Sequence, residues 1–299
     1  MDELGYIPNS VARSLKKRTT SIIGILVPDI KNPFFPSIVG SISEALLNDG
    51  YEIFAASSEE SPDKQAKILE AFLQFRVSAI VAIPTGAPEV AYDQFARVIR
   101  HIPIILLDRD VPGLKCPKVF LDNHSGAKKL TLHLIKMGHK RIGIITPPLF
   151  LSIGKERLSG YKQALVENDL EVLKELIFEG DLFQRSGQKA LDYFLQLDKN
   201  KRPTAILSCS DMMTLGFLKR AQERGVKIPE DFSFVSFDDP EYFELLTPPL
   251  TCLAQPVKLF GEKVSELLVK ILSSTHINFE TTDKLMGELK TRGSVKPLL

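Results

Sequence analysis

An α/β architecture of two doubly wound parallel sheets follows from three features: short branched apolar runs that stop at turn residues, helical stretches alternating with them, and room for the series twice. The first run, Ser21-Ile22-Ile23-Gly24-Ile25-Leu26-Val27-Pro28, reads as a buried parallel strand ending at a turn. A helix over 33–48 follows, opened by Asn32-Pro33 and ended by Asp49-Gly50. The pattern repeats as strand 51–56, helix 62–76, strand 79–84, helix 88–101 and strand 103–107. A second series begins near Val119-Phe120-Leu121-Asp122-Asn123, with a helix over 126–137 and Gly138 as its C-terminal cap. It continues as strand 141–146, helix 153–168, strand 177–178, helix 186–197, strand 205–209, helix 212–224 and strand 232–237. The tail adds strand 250–254, helix 257–272 and one strand over 284–289. That exceeds what a second lobe needs, so part of it is expected to return to the first lobe, and several crossings would make a hinge. The expected division is 1–20 as an N-terminal appendage, 21–121 plus 252–282 as one lobe, and 122–251 plus 283–299 as the other.

Composition narrows the function classes. With 44% hydrophobic residues among 299 the chain can build large cores, and its net charge of +1 argues against general polyanion binding, so any nucleic-acid affinity must be local. Cys116, Cys209 and Cys252 lie far apart, in odd number and without C-x-x-C spacing, which fits a reducing cytoplasm. No apolar run has transmembrane length, and polar Asp2, Glu3 and Asn9 stand where a signal peptide needs apolar residues; a soluble, cytoplasmic chain without membrane contact is expected.

Basic charge gathers at the start, where Arg13, Lys16, Lys17 and Arg18 follow Pro8-Asn9-Ser10, a helix-start signal. The segment is too short for a stable isolated helix, so a partner can decide its order. Leu15 among those cations suits a minor-groove wedge, although composition alone favours a frayed terminal linker.

In open parallel sheets ligands bind beyond the carboxyl ends of the strands. The residues there are Asp29, Ser57, Thr85 and Asp108 in the first series, and Thr146, Ser210 and Asp238 in the second. Hydroxyls and carboxylates suit a small polar ligand. No nucleophile elbow, phosphate loop, dinucleotide fingerprint or H-E-x-x-H is present, so an enzyme is not expected; nor is a cofactor or a metal, since the five histidines lack ligand spacing. Of the neighbouring Phe34 and Phe35, one can pack inward while the other stacks on a ligand. Arg157 lies near the start of its helix, where a cation opposes the helix dipole; a bidentate ligand clamp accounts for it, as would an ordinary surface arginine. Asp211 reads most simply as a helix N-cap, and Asp238 as either a cap or a ligand contact.

Taken in order, several motifs resemble the LacI/GalR family of bacterial transcription regulators. They are Leu4-Gly5-Tyr6-Ile7-Pro8-Asn9 with Ala12-Arg13-Ser14-Leu15, Val27-Pro28-Asp29 leading to Asn32-Pro33-Phe34-Phe35, Gly138-His139-Lys140-Arg141-Ile142, and Arg157-Leu158-Ser159-Gly160-Tyr161. Further along come Gly225-Val226-Lys227-Ile228-Pro229-Glu230-Asp231, Phe237-Asp238-Asp239, and Pro248-Pro249-Leu250-Thr251 with Gln255-Pro256. The resemblance implies two lobes of periplasmic-binding-protein type with a hinge between them, preceded by a short hinge helix at about Asn9 to Lys17. It implies a homodimer that inserts Leu15 into operator DNA, with Asn9, Arg13 and Lys16 in the same contact. An effector, a sugar or sugar derivative, would bind in the interlobe cleft at Phe34 or Phe35, Arg157 and Asp238, with Gln255 a further candidate. Ser210 departs from the asparagine of many relatives and offers fewer hydrogen bonds to a sugar. The family's helix-turn-helix is present only from its final turn, so operator binding by the chain as written is expected to be weak and poorly discriminating. A sugar-binding solute receptor, or less readily an α/β enzyme, is the alternative; the first needs an export signal and the second a converging nucleophile and base.

Overall fold

The computed structural model describes residues 20–273 and 280–298, so the expected DNA contacts at Asn9, Arg13, Leu15 and Lys16 lie outside the described residues. The described chain forms two α/β units, each with its own six-stranded sheet.

The first sheet contains β1 (Ile22–Val27), β2 (Glu52–Ser57), β3 (Ala79–Ala82), β4 (Ile104–Leu107), β5 (Lys118–Leu121) and β11 (Thr282–Leu285) in the order β2-β1-β3-β4-β5-β11. Its helices are α1 (Phe34–Leu46), α2 (Pro62–Gln74), α3 (Pro88–Val98) and α8 (Val257–Ser273). The second sheet contains β6 (Ile142–Thr146), β7 (Ile177–Glu179), β8 (Ala205–Ser208), β9 (Ser233–Phe237), β10 (Thr251–Ala254) and β12 (Glu288–Lys290), ordered β7-β6-β8-β9-β10-β12. Its helices are α4 (Asn123–Lys136), α5 (Ser152–Val166), α6 (Gln184–Gln196) and α7 (Asp211–Arg224). The two sheets repeat one topology. In each, the second strand in sequence pairs on one side of the first and the later strands build on the other, so the order reverses beside β1 and beside β6.

Local chemistry accounts for these elements. The central strands β1, β3, β4, β6, β8 and β9 are buried almost throughout, as uniformly apolar runs require, whereas edge strand β2 alternates. Helix α1 buries Phe35, Ile38, Ile42 and Leu46, one stripe at helical spacing, and Asn32 Oδ1 accepts from the Phe34 N–H at its start. The following turn closes at Gly50 with φ of 74°, a left-handed conformation that suits glycine.

Three expectations change. The last strand is two: β11 joins the first sheet and β12 pairs antiparallel with β10 in the second, the chain passing through Gly287, where a Cβ would come within 2.8 Å of Leu253. Strand β5, read as the start of the second series, pairs with β4 in the first sheet. Strand β10 pairs with β9, so residues 252–257 lie with the second unit and the boundary falls after Val257. The first unit takes the described residues up to Lys31, Phe35–Val119 and those of Lys258–Asp283; the second takes Asn32–Phe34, Phe120–Val257 and the described residues from Lys284.

Candidate functional site

The reversal point of the second sheet gathers the polar groups that its core cannot satisfy. Strand β6 ends at Thr146, and β8, hydrogen-bonded beside it, leads through Cys209 and Ser210 into α7. Arg157, in the second turn of α5, is only 3% exposed. Its Nε donates to Asn123 Oδ1 at 2.7 Å, its Nη1 to the Cys209 carbonyl at 2.8 Å, and its guanidinium carbon lies 4.0 Å from the centroid of the Phe237 ring. No carboxylate lies within 4.0 Å of it among the described residues, and its Nη2 makes no hydrogen bond there. A guanidinium taken out of water without a carboxylate in direct contact is costly, which makes Arg157 a candidate site residue.

Two aspartates meet nearby. Ser210, not Asp211, occupies the N-cap of α7, and it makes no side-chain cap bond. Asp211 is 1% exposed; its Oδ1 accepts from the Met212 N–H at 2.7 Å and from Asn32 Nδ2 at 2.8 Å, while its buried Oδ2 has no partner. Burial and the neighbouring Asp238 carboxylate push Asp211 up to about 8, so it carries its proton at neutral pH. Asp238 follows β9 directly with φ of 68°, a conformation that costs a non-glycine residue energy and that marks functional positions. Its Oδ1 accepts from Gln255 Nε2 at 2.5 Å. The acidic pair also reaches the Tyr242 phenol, which burial raises first and the two aspartates raise further.

Within the second unit, four buried polar atoms here lack a hydrogen-bond partner: Thr146 Oγ1, Asp211 Oδ2, Tyr242 Oη and Gln255 Oε1. Buried polar atoms in native proteins are nearly always paired, so four orphans among the strand-end residues of one unit make this the candidate site.

The corresponding locus of the first unit is closed by its own side chains. Arg109 gives Nη2 to Glu60 Oε1 at 2.6 Å and Nη1 to Glu60 Oε2 at 2.8 Å, a bidentate pair. Thr85 bonds to Ser58, Glu60 and Gln65. Asp108 carries a positive φ of 61° directly after β4, as Asp238 does after β9.

Of the residues singled out from sequence, Arg157, Ser210, Asp238 and Gln255 meet at this one locus. Phe35 is 5% exposed and belongs to the core stripe of α1, which leaves Phe34, half-buried, as the aromatic candidate. Neither Asp238 nor Asp239 caps the short helical turn Glu241–Phe243; Asp239 instead pairs bidentately with Arg292 at 2.7 and 2.9 Å. Sequence reasoning placed Thr146 at a strand end without weighting it, took Asp211 for a cap, and gave no sign of Asn123 or Tyr242. Tyr242 lies in the short helical turn Glu241–Phe243, which carries no motif. Among the described residues no group of histidines, cysteines and carboxylates could hold a metal, and no helix is long and apolar enough to cross a membrane.

Residues 131–295 match the periplasmic binding protein-like domain. The chain is 31% identical over 298 residues to the HTH-type transcriptional repressor PurR of Aliivibrio salmonicida, covering 100% of this chain and 88% of that protein. The chain belongs to the LacI/GalR family of transcription regulators. It is also 31% identical to the HTH-type transcriptional repressor CytR of Escherichia coli K12, over 99% of this chain and 85% of the relative. Among solved LacI/GalR structures, the transcription regulator CcpA of Lactococcus lactis superposes with a TM-score of 0.83 at 27% identity, over 93% of this chain and 100% of that one. The Lac repressor bound to ONPG in its repressed state superposes with a TM-score of 0.85 at 25% identity, over 99% and 88%. These relatives are named as transcriptional repressors or regulators.

Proposed function

We propose that this chain is an effector-responsive transcriptional repressor, working as a homodimer on operator DNA. A small polar metabolite, a sugar or sugar derivative, binds beyond the strand ends of the second unit and sets the repressor's affinity for DNA. The observation that carries the reading is the buried Arg157 guanidinium, fixed by Asn123, Cys209 and the Phe237 ring yet without a carboxylate partner. Asp238 and Gln255 face the same locus, and Ser210 lines it. Phe34 supplies the aromatic contact. The PurR and CytR repressors, which share the chain's whole length, support the DNA half of the reading.

A ligand that binds the native state raises its unfolding midpoint by mass action. A thermal-shift screen against sugars, nucleobases and sugar phosphates identifies the class, and calorimetry on Arg157→Ala then tests the site. The substitution leaves the fold intact and weakens binding of the responding compound by about tenfold or more, the value of one charge-assisted hydrogen bond. Unchanged affinity removes Arg157 from the site.

A further inference from the structure

We propose that the locus at the strand ends of the second unit takes an uncharged, hydroxyl-rich ligand, that Thr146 and Tyr242 bind it directly, and that phosphorylated sugars and other ions are excluded. This inference rests on the effector-site reading above and narrows it.

The first argument is charge. The locus holds one guanidinium, Arg157, and two acidic groups, Asp211 and Asp238, and the Glu156 carboxyl acts on Arg157 and Asn123 beside it. Arg157 and Asp238 act on the same Cys209 thiol with opposite sign, so charges of both signs already meet at the locus, and an uncharged ligand leaves them undisturbed. A phosphate monoester brings one and a half to two negative charges, about as many as any small metabolite group, into a site already carrying two acids. Arg157 offers such a group one donor rather than a bidentate fork, because Nε and Nη1 are engaged by Asn123 and Cys209. The other usual anion seat, the N-terminus of α7, is occupied: Asp211 Oδ1 already takes the Met212 N–H. An amine, conversely, would face the Arg157 cation.

The second argument is hydrogen-bond polarity. Gln255 Oε1 can only accept, Arg157 Nη2 can only donate, and Thr146 Oγ1 and Tyr242 Oη can do either. A hydroxyl both donates and accepts, so a run of hydroxyls meets every one of these demands. A phosphate meets only the donors. Thr146, fully buried, and Tyr242 have no partner within the protein, which separates them from residues whose polar atoms serve the fold.

Ribose, glucose and adenosine, each paired with its phosphate monoester, and glucose paired with glucosamine, are titrated by calorimetry into the full chain and into Thr146→Val, Tyr242→Phe and Arg157→Ala. At least one uncharged member binds at millimolar concentration or below and at least tenfold tighter than its charged counterpart. Thr146→Val and Tyr242→Phe each weaken it by about tenfold. Both leave the ligand-free unfolding midpoint unchanged or raised, since each deletes an unsatisfied buried atom. A structural role would lower that midpoint. The proposal is overturned by a phosphate monoester or glucosamine binding as tightly as its parent, by silence from every uncharged probe, or by Thr146→Val and Tyr242→Phe binding as the parent chain does. If a charged probe wins and Arg157→Ala abolishes its binding, the site stands and only the ligand class falls. If no substitution alters the binding of any probe that binds, the site itself falls.

Discussion

Arg109 and Arg157 are both buried at the reversal points of like sheets, and their partners decide what each does. Arg109 is 2% exposed and clasped by Glu60, so its charge is spent on holding the loop after β2 to the end of β4. Burial works against the Glu60 carboxylate, but Arg109 outweighs it and holds Glu60 below the usual carboxylate range. Its contribution is therefore present above the ordinary value of 4.5 and is lost as pH falls through the depressed one. Glu60→Gln keeps the shape and removes the charge, leaving a guanidinium buried without its counter-ion. Urea unfolding at neutral pH is expected to show a loss of about 3 kcal/mol, at the lower end for a broken buried pair. Arg157→Met, by contrast, removes a charge that has no carboxylate in direct contact and costs less in the same measurement. The sequence marked Arg157 as odd for its place in a helix and gave no hint of the Arg109 pair, because Glu60 and Arg109 are 49 positions apart and neither belongs to a motif.

Helices α6 and α7 approach so closely that side chains are excluded from both at the crossing. A Cβ on Gly187 would come within 1.9 Å of the Met213 carbonyl oxygen, and one on Gly216 within 1.9 Å of the Gln184 carbonyl oxygen. The obstacle is backbone in each case, so neither neighbour can rotate away. The approach matters for the site, because α7 starts at Asp211 and α6 follows β7 beside Thr146. Gly216→Ala is expected to lower stability by about 3 kcal/mol, the upper range for overpacking, and to displace the start of α7. Chemical denaturation reads the first effect; a fall in effector affinity larger than the loss of folded protein reads the second. Glycines at helix crossings are invisible to periodicity, which reports which face is apolar and not how near another helix comes. Periodicity succeeded where the signal was local: each strand from β1 to β10 and each helix from α1 to α8 was expected within a few residues of its place. It failed at 284–289, where the residues on both sides of Met286-Gly287 have strand character and only tertiary pairing reveals that they enter different sheets.

The whole molecule applies one topology twice, and each copy places an aspartate of positive φ directly after the matching strand, Asp108 after β4 and Asp238 after β9. That rule made the strand-end residues legible from sequence. What it could not convey is which polar atoms stay unsatisfied, a property of the finished packing, so Asp211 passed for a cap and Tyr242 went unseen. Two buried ionisable groups of the second unit also shape how the molecule responds to pH. His139 is fully buried, its ring nitrogens meeting Thr204 Oγ1 and the Lys296 carbonyl, and burial lowers it below the ordinary 6.5. Its contribution is present above 6.5 and is lost as pH falls through the depressed value, because the unfolded chain takes the proton first. Asp211 has the opposite sign. With a folded value of about 8 against an ordinary 3.8, it favours the native state fully below 3.8 and loses that contribution as pH rises toward 8. From 6.5 upward His139 is neutral in both states and no longer offsets this loss, so ligand-free protein is expected to lose stability between 6.5 and 8. The slope approaches about 1.4 kcal/mol per pH unit, the limit for one proton. Asp211→Asn keeps the Oδ1 acceptor and imitates the protonated acid, so it removes that slope and uncovers the decline below 6.5, to which His139 and the likewise lowered His133 both contribute. Unfolding midpoints of the two proteins measured across this range decide the matter: parallel curves above 6.5 would show that Asp211 is ionised in the native state rather than protonated.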